Sequence, residues 1–459
     1  MPENVQVVEP ARGEIAAEVE GEVNGDAATT APLTSMMPSS GVMVSRQESR
    51  RSFALNVTNG ALFNFSNTLI DPTVVLIWFL SPLTDANILL GLLGPISTGG
   101  WFLPQLFLSS WVQQKPRKIV VYRIAMGIRL ATWVILALTM WFVRDPLWLL
   151  LVFYPAYTVM SISGGLGGTP FLEIVAKTIP VRWRGRLFGL RLLTGGVLGL
   201  LGSRLVSWGL EARPYPQNYA LLVLWAMIAG GAAMVAVAVM PEPPGQTRPA
   251  TSLREQVRRG WQILRENADY RNFVAARSLL LLSMSALPFY SVMVRRELGA
   301  PEHAVGDFLL VLTSMQLLVN YPWGWLVDTK GRRWVSQASC VGWLVAGGLG
   351  LLLLGVARGG QWRIGALPAY TLAYPLFVLV GAVRPAEGIA GHNLLLEISP
   401  AEDRALYVGF ANTFFGVVIL LSGLSGGLVD LFGLEAVFVL AMAANALAFF
   451  IYGRIRGGI

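Results

Sequence analysis

Five polar residues interrupt an apolar stretch early in the chain: Asn56, Asn59, Asn64, Asn67 and Asp71. On a helix turning about 100° per residue, Asn56, Asn64, Asn67 and Asp71 share a wedge of roughly 80°. An amide donates and accepts at once. Such a stripe suits either a wet cavity that binds a polar solute or hydrogen bonds that tie helices together. Asp71 is the stretch's one acid, and Pro72 beside it frees a backbone carbonyl one turn back. The carboxyl group can exchange a proton there, or simply accept a hydrogen bond near a helix end.

A second group lies near the far end of the chain, where Arg384, Glu387 and His392 fall within about three helical turns. Arg384 and Glu387 stand at i and i+3, so they can pair on one face. A pair that opens when a solute or proton arrives would couple the two. A permanent pair would serve structure alone. His392 can titrate near neutral pH or sit as a hydrogen-bonded structural residue. Arg129 lies about ten residues inside an apolar run, too deep to reach its end easily, and is a candidate partner for an anion or an acid. Arg123, Arg191 and Arg277 can reach an interface and read as anchors. Glu173 and Glu397 close two apolar runs and are expected to pair with loop arginines or to gate.

Several chemistries are excluded by what the chain lacks. No G-x-x-x-x-G-K-S/T loop occurs, so ATP is not the expected energy source. Two histidines and one cysteine offer neither a metal cluster nor a nucleophile–base pair, so no enzyme and no cofactor are expected. Cys340 stands alone in an apolar run, which rules out a disulfide within the chain.

The elements that must position these residues are helices in a bilayer. Of 459 residues, 54% are hydrophobic and 14% charged, with a mean hydropathy of +0.56. A soluble protein carries about 25% charged residues. Apolar runs near 54–80, 86–111, 119–142, 147–170, 186–210, 218–240, 272–294, 303–327, 334–357, 365–394, 404–430 and 434–454 are each long enough to span about 30 Å of hydrocarbon. The +8 net charge would suggest nucleic acid in a soluble protein. Here the basic residues occupy short turns, so they orient the chain and no nucleic-acid partner is expected.

Lys115, Arg117 and Lys118, then Lys177, Arg182, Arg184 and Arg186, then Lys330, Arg332 and Arg333, and finally Arg454 and Arg456 all fall on one side. Twelve spans place both ends on that side, the cytoplasm. The opposite turns carry balanced or sparse charge, with Arg295–Arg296–Glu297 as a mildly basic exception. Residues 1–52 are small, polar and acidic and read as a disordered cytoplasmic tail. Between the sixth and seventh runs lies the one long polar interruption, 241–271. Leu253, Val257, Trp261 and Leu264 recur there at helical spacing, predicting a short amphipathic helix on the inner leaflet between bundles 53–240 and 272–459.

The two halves repeat. Leu172–Glu173–Ile174 is echoed by Leu396–Glu397–Ile398, Tyr154–Pro155 by Tyr374–Pro375, and Gly209-Leu-Glu-Ala212 by Gly433-Leu-Glu-Ala436. Pro180, Arg184 and Gly189 recur as Pro400, Arg404 and Gly409. Offsets near 220 residues across six spans give the copies one orientation, since an even number of crossings separates them.

One turn carries a family resemblance. Gly324-Trp-Leu-Val-Asp328-Thr-Lys-Gly331-Arg332-Arg333 resembles the G-x-x-x-D-x-x-G-R-R/K signature of the major facilitator superfamily, at the turn after the second span of a half. In the first half the corresponding Ser110-Trp-Val-Gln113-Gln-Lys-Pro116-Arg117-Lys118 keeps the basic pair but lacks the aspartate and the glycine. An inner gate therefore falls to Asp328, suited to cap a neighbouring helix N-terminus. The resemblance covers about residues 53–456. It implies an all-α membrane protein of two pseudo-symmetric six-helix bundles, moving a small solute by alternating access, with protons as a candidate co-substrate and lipids as neighbours. A monomer in the cell membrane is expected. Its first, fourth, seventh and tenth helices would surround the path, which makes Asn64, Asn67, Asp71, Arg384, Glu387 and His392 cavity candidates. A membrane sensor or scaffold that binds a ligand without moving it is the alternative.

Overall fold

The computed structural model describes residues 45–245, 247, 253–359, 368–400 and 402–456. Nearly all of the acidic tail, together with Arg248 and Ser252 of the linker, lies outside the described residues. The first half holds α1 (Arg46–Leu69), α2 (Val75–Leu80), α3 (Asn87–Gln113), α4 (Ile119–Phe142), α5 (Pro146–Thr178), α6 (Val181–Ala212) and α7 (Gln217–Ala238). After α8 (Leu253–Glu266) come α9 (Ala268–Ser283), α10 (Leu287–Arg296), α11 (Ala304–Lys330), α12 (Arg332–Arg358), α13 (Tyr374–Ile398), α14 (Arg404–Ser422), α15 (Ser425–Phe432) and α16 (Leu434–Tyr452). Among the described residues there is no strand.

Three rods are broken: α1 into α2, α9 through a 3₁₀ turn at Met284–Ala286 into α10, and α14 into α15. Ten rods are long and apolar enough to cross a membrane. The remaining two are the α1–α2 rod, diluted by its amides, and α3, of which Asn87–Leu103 qualifies as a shorter apolar helix.

Local chemistry explains the first break. Pro72 has no N–H to give, and α1 ends at Leu69. Asp71 Oδ1 then accepts the Thr73 N–H at 2.8 Å, the Thr73 hydroxyl at 2.6 Å and the Val74 N–H at 3.0 Å. The carboxylate therefore caps the turn into α2. At the other end, residues 46–52 are not tail but the first turns of α1. Ser45 and Glu48 exchange side-chain bonds with each other's backbone N–H at 3.1 and 2.9 Å, a capping box that starts the helix.

The packing repeats as the letters do. In the first half α1 packs on α6 and α7, α4 on α5 and α7, and α3 on α5. In the second, α9 packs on α14 and α16, α12 on α13 and α16, and α11 on α13. These are the same five pairings moved on by six rods. Between the halves α3 meets α14 and α6 meets α11, and the two seams exchange under that same operation, as a dyad between the bundles requires.

The linker is fastened at both ends. Glu242, buried, accepts the Lys118 N–H at 3.0 Å and the Ile119 N–H at 2.6 Å, capping α4, and pairs with Lys177 Nζ at 2.5 Å. The predicted amphipathic helix exists as α8. Its Trp261 ring stands edge-on to Phe410 at 5.8 Å and Phe414 at 6.2 Å, so the apolar stripe rests partly on α14, with 46% of Trp261 exposed.

Candidate functional site

A cavity of about 420 Å³ lies between the halves. Asn64 and Asn67 reach it from α1, Asp71 from the turn after it, Gly195 and Gly199 from α6, Gln316 and Asn320 from α11, and Arg384 from α13. The Asn64 amide NH₂ donates to the Gly60 carbonyl at 2.9 Å, and that of Asn320 to the Gln316 carbonyl at 2.6 Å. Each amide oxygen is left to accept from a solute. Asn56 and Asn59 do a different job. Both are buried, and Asn59 donates to the Ala233 carbonyl of α7 at 2.7 Å. Arg191 Nη1 donates to the Asn56 carbonyl at 2.5 Å and to Asn59 Oδ1 at 2.9 Å, holding α6 to α1.

Every hydrogen bond and ion pair between the halves, among the described residues, lies at the end away from the basic turns. Asp430 accepts from the Asn87 N–H at 2.9 Å and the Ile88 N–H at 3.1 Å, capping α3 from the other half. Arg296 donates to the carbonyls of Ser81 at 3.2 Å and Thr84 at 2.9 Å, and Arg295 donates to the Trp78 carbonyl. Arg204 pairs with Asp307 at 2.6 Å, and the Ser291 hydroxyl donates to the Thr73 carbonyl at 2.7 Å. The basic turn at 295–296, an exception to the charge rule, is thus part of a latch.

Toward the basic face the halves part. A Cβ on Gly196 would lie 2.7 Å from Leu317 and one on Gly199 3.2 Å from Thr313, whereas Gly185 and Gly189 have nothing within 4 Å. Polar contacts join the halves at the latched face, and among the described residues none joins them toward the basic face.

The family model of the Major Facilitator Superfamily matches residues 273–456. Three solved structures share the fold over nearly the whole chain. A D-xylose–proton symporter aligns at a TM-score of 0.66 and 16% identity, covering 88% of this chain and 97% of its own. The nucleoside transporter NupG aligns at 0.65 and 13%, covering 89% and 100%. A bacterial homologue of the human lysosomal transporter Spinster, in an inward-facing and unoccupied conformation, aligns at 0.61 and 14%, covering 89% and 98%. The family match covers the second half of the chain, and the fold of these structures extends over both. Identities this low carry the fold and not the cargo, and no curated protein matches the sequence significantly.

The turn signature holds each half together and does not bridge them. Gly331 has φ +88°, a conformation that favours glycine, and Gly324 is buried. Arg332 pairs with Glu397 at 2.7 Å, and Arg333 donates to the Ile455 carbonyl at 3.0 Å. Glu173 faces Lys118 at 3.7 Å, a loop lysine where an arginine was expected. Burial holds the Lys118 ammonium below its ordinary value, with Glu173 pulling it back up. Arg184 caps the end of α5, donating to the carbonyls of Ala176 at 2.7 Å and Ile179 at 3.1 Å. Arg117 is exposed, and the half-buried Arg404 has a buried Nε without a partner. Asp328 is exposed and caps no helix here, because the basic ends stand apart.

Two cavity candidates lie elsewhere. Glu387 does not pair with Arg384. Its Oε1 sits 2.6 Å from Arg277 Nη2 of α9, whose longer reach across the helix pair outcompetes the neighbour on its own helix. His392 is an exposed residue about 12 Å along α13 from Arg384 toward the basic face and does not line the cavity. Conversely, Thr313, Gln316 and Asn320 line it unanticipated. Their i, i+3, i+7 spacing is the signal already read on α1. Glu242 was also passed over, although an acid beside a helix start is a capping signal.

Proposed function

We propose that this protein is a secondary transporter that carries a small polar solute by alternating access, its halves rocking about the α3–α14 and α6–α11 seams. One observation carries the reading: a polar cavity lined from both halves, which polar contacts among the described residues join at one face and not at the other. Loop charge places the basic face and both helical ends in the cytoplasm, so the conformation faces inward in the cell membrane. One chain completes the cavity, so a monomer suffices. Asp71 and Glu387 are the candidate proton-coupling groups, and Asp328 is the candidate inner latch once the basic face closes. The chemistry required is binding and release, not catalysis. Counterflow in proteoliposomes tests the reading, with labelled solute expected to accumulate against a preloaded unlabelled pool. Binding without any exchange would return the protein to the sensor class.

A further inference from the structure

Among the arginines of the spanning helices, four differ in their partners, and of these Arg384 lines the cavity. Arg277 is neutralised by Glu387 at 2.6 Å. Arg191 is held by a carbonyl and an amide oxygen, without a carboxylate. Arg129, only 7% exposed, faces the rings of Trp133 at 5.0 Å and Phe63 at 5.4 Å, and its Nε has no partner. Arg384 reaches the cavity and makes no hydrogen bond or ion pair among the described residues. Against these stands one cavity carboxylate, Asp71, and its Oδ1 is already occupied by three donors from residues 73 and 74.

We infer that the solute is a small organic anion, its acidic head held by Arg384 and its hydroxyl groups by the amide oxygens of Asn64 and Asn320. The inference rests on the transport reading for what the cavity is for, and supplies the class of its cargo. A guanidinium without a counter-charge inside a membrane protein is costly, and a neutral solute would leave it so. The charge of Arg384, with no basic or acidic partner beside it among the described residues, repels cations from the cavity. Carboxylate and phosphate both match the planar fork of arginine in bidentate fashion. A volume near 420 Å³ lies in the range of single small-molecule sites, roughly 300–1,000 Å³.

The test uses the purified full chain, first by thermal shift and then by counterflow in proteoliposomes. The probes are gluconate, glycerol phosphate, their neutral counterparts sorbitol and glycerol, and choline. One of the two anions should raise Tm and exchange, which also tells carboxylate from phosphate, while its neutral counterpart does neither. Arg384→Gln should weaken that anion at least tenfold, with Arg384→Lys recovering part of the loss. The anion-over-neutral order in the unaltered protein needs no variant and stands if Arg384→Gln fails to fold. Sorbitol or glycerol acting as strongly as its acid overturns the inference, and so does unchanged anion affinity in folded Arg384→Gln, or silence from every probe. Exchange of a neutral solute alone keeps the transporter and removes the anion. Anion binding without exchange does the reverse.

Discussion

Arg277 and Glu387 keep 14% and 11% of their side chains exposed and pair at 2.6 Å. Glu387→Gln strands a buried guanidinium, and a loss of about 3–5 kcal/mol is expected, read as a clear fall in Tm. Asp71→Asn is milder, because an amide oxygen still accepts from residues 73 and 74. Uphill uptake in both variants tests coupling, and full accumulation in each would dismiss a proton route through them. Glu255 allows a pH test outside the membrane. Arg258 and Arg259, each 3.0 Å away, hold its carboxyl below the ordinary 4.5. A depressed acid stabilises above its ordinary value and loses that contribution as pH falls through the folded value. Glu255→Gln should therefore match the parent near pH ~3 and melt slightly lower near pH ~7, the gap kept small by solvent screening. Residue identity revealed the α1 stripe because its spacing is local. The Arg277–Glu387 pair joins positions with 109 residues between them and leaves no local pattern, so the nearer Arg384 looked like the partner.

Helices were legible wherever length and apolarity decide them, and each of the twelve runs corresponds to a rod. Their ends were less so. α5 continues to Thr178 and α13 to Ile398, several residues past the apolar runs, because Lys177 and Glu397 extend toward polar partners at the basic face. At Pro72 the chain breaks fully instead of kinking, since Asp71 offers the new helix a cap. Two glycines separate packing from motion. A side chain at Gly165 would strike the Trp101 carbonyl, backbone that cannot step aside, so Gly165→Val should cost about 1–3 kcal/mol. Gly189 opens onto empty space on the basic side. Gly189→Leu should leave Tm close to the parent yet slow counterflow, by obstructing the approach of the basic ends. Equal slowing in a variant that also melts early would point to packing instead.

At the scale of the molecule, the latch is lopsided. Asp430 caps α3 across the halves at one face, while at the other face the first-half turn carries the uncharged Gln113 where the second half has Asp328. Asp430→Ala should loosen the latched face, lengthening spin-label distances between Thr84 and Leu431; an unchanged distribution would assign the hold to the remaining contacts of Arg204–Asp307, Ser291, Arg295 and Arg296. The fastened linker sets a further limit. Glu242 is fastened to one bundle and Trp261 to the other, and the chain passes between them from Gly245 to Leu253. Eight peptide steps pay out at most about 29 Å, since a residue spans no more than ~3.6 Å. That strand is a leash, and cutting three residues from it would take up roughly 10 Å of slack. A carrier whose stroke nears that reach would stall on the short leash, while one with a smaller swing would run on undisturbed.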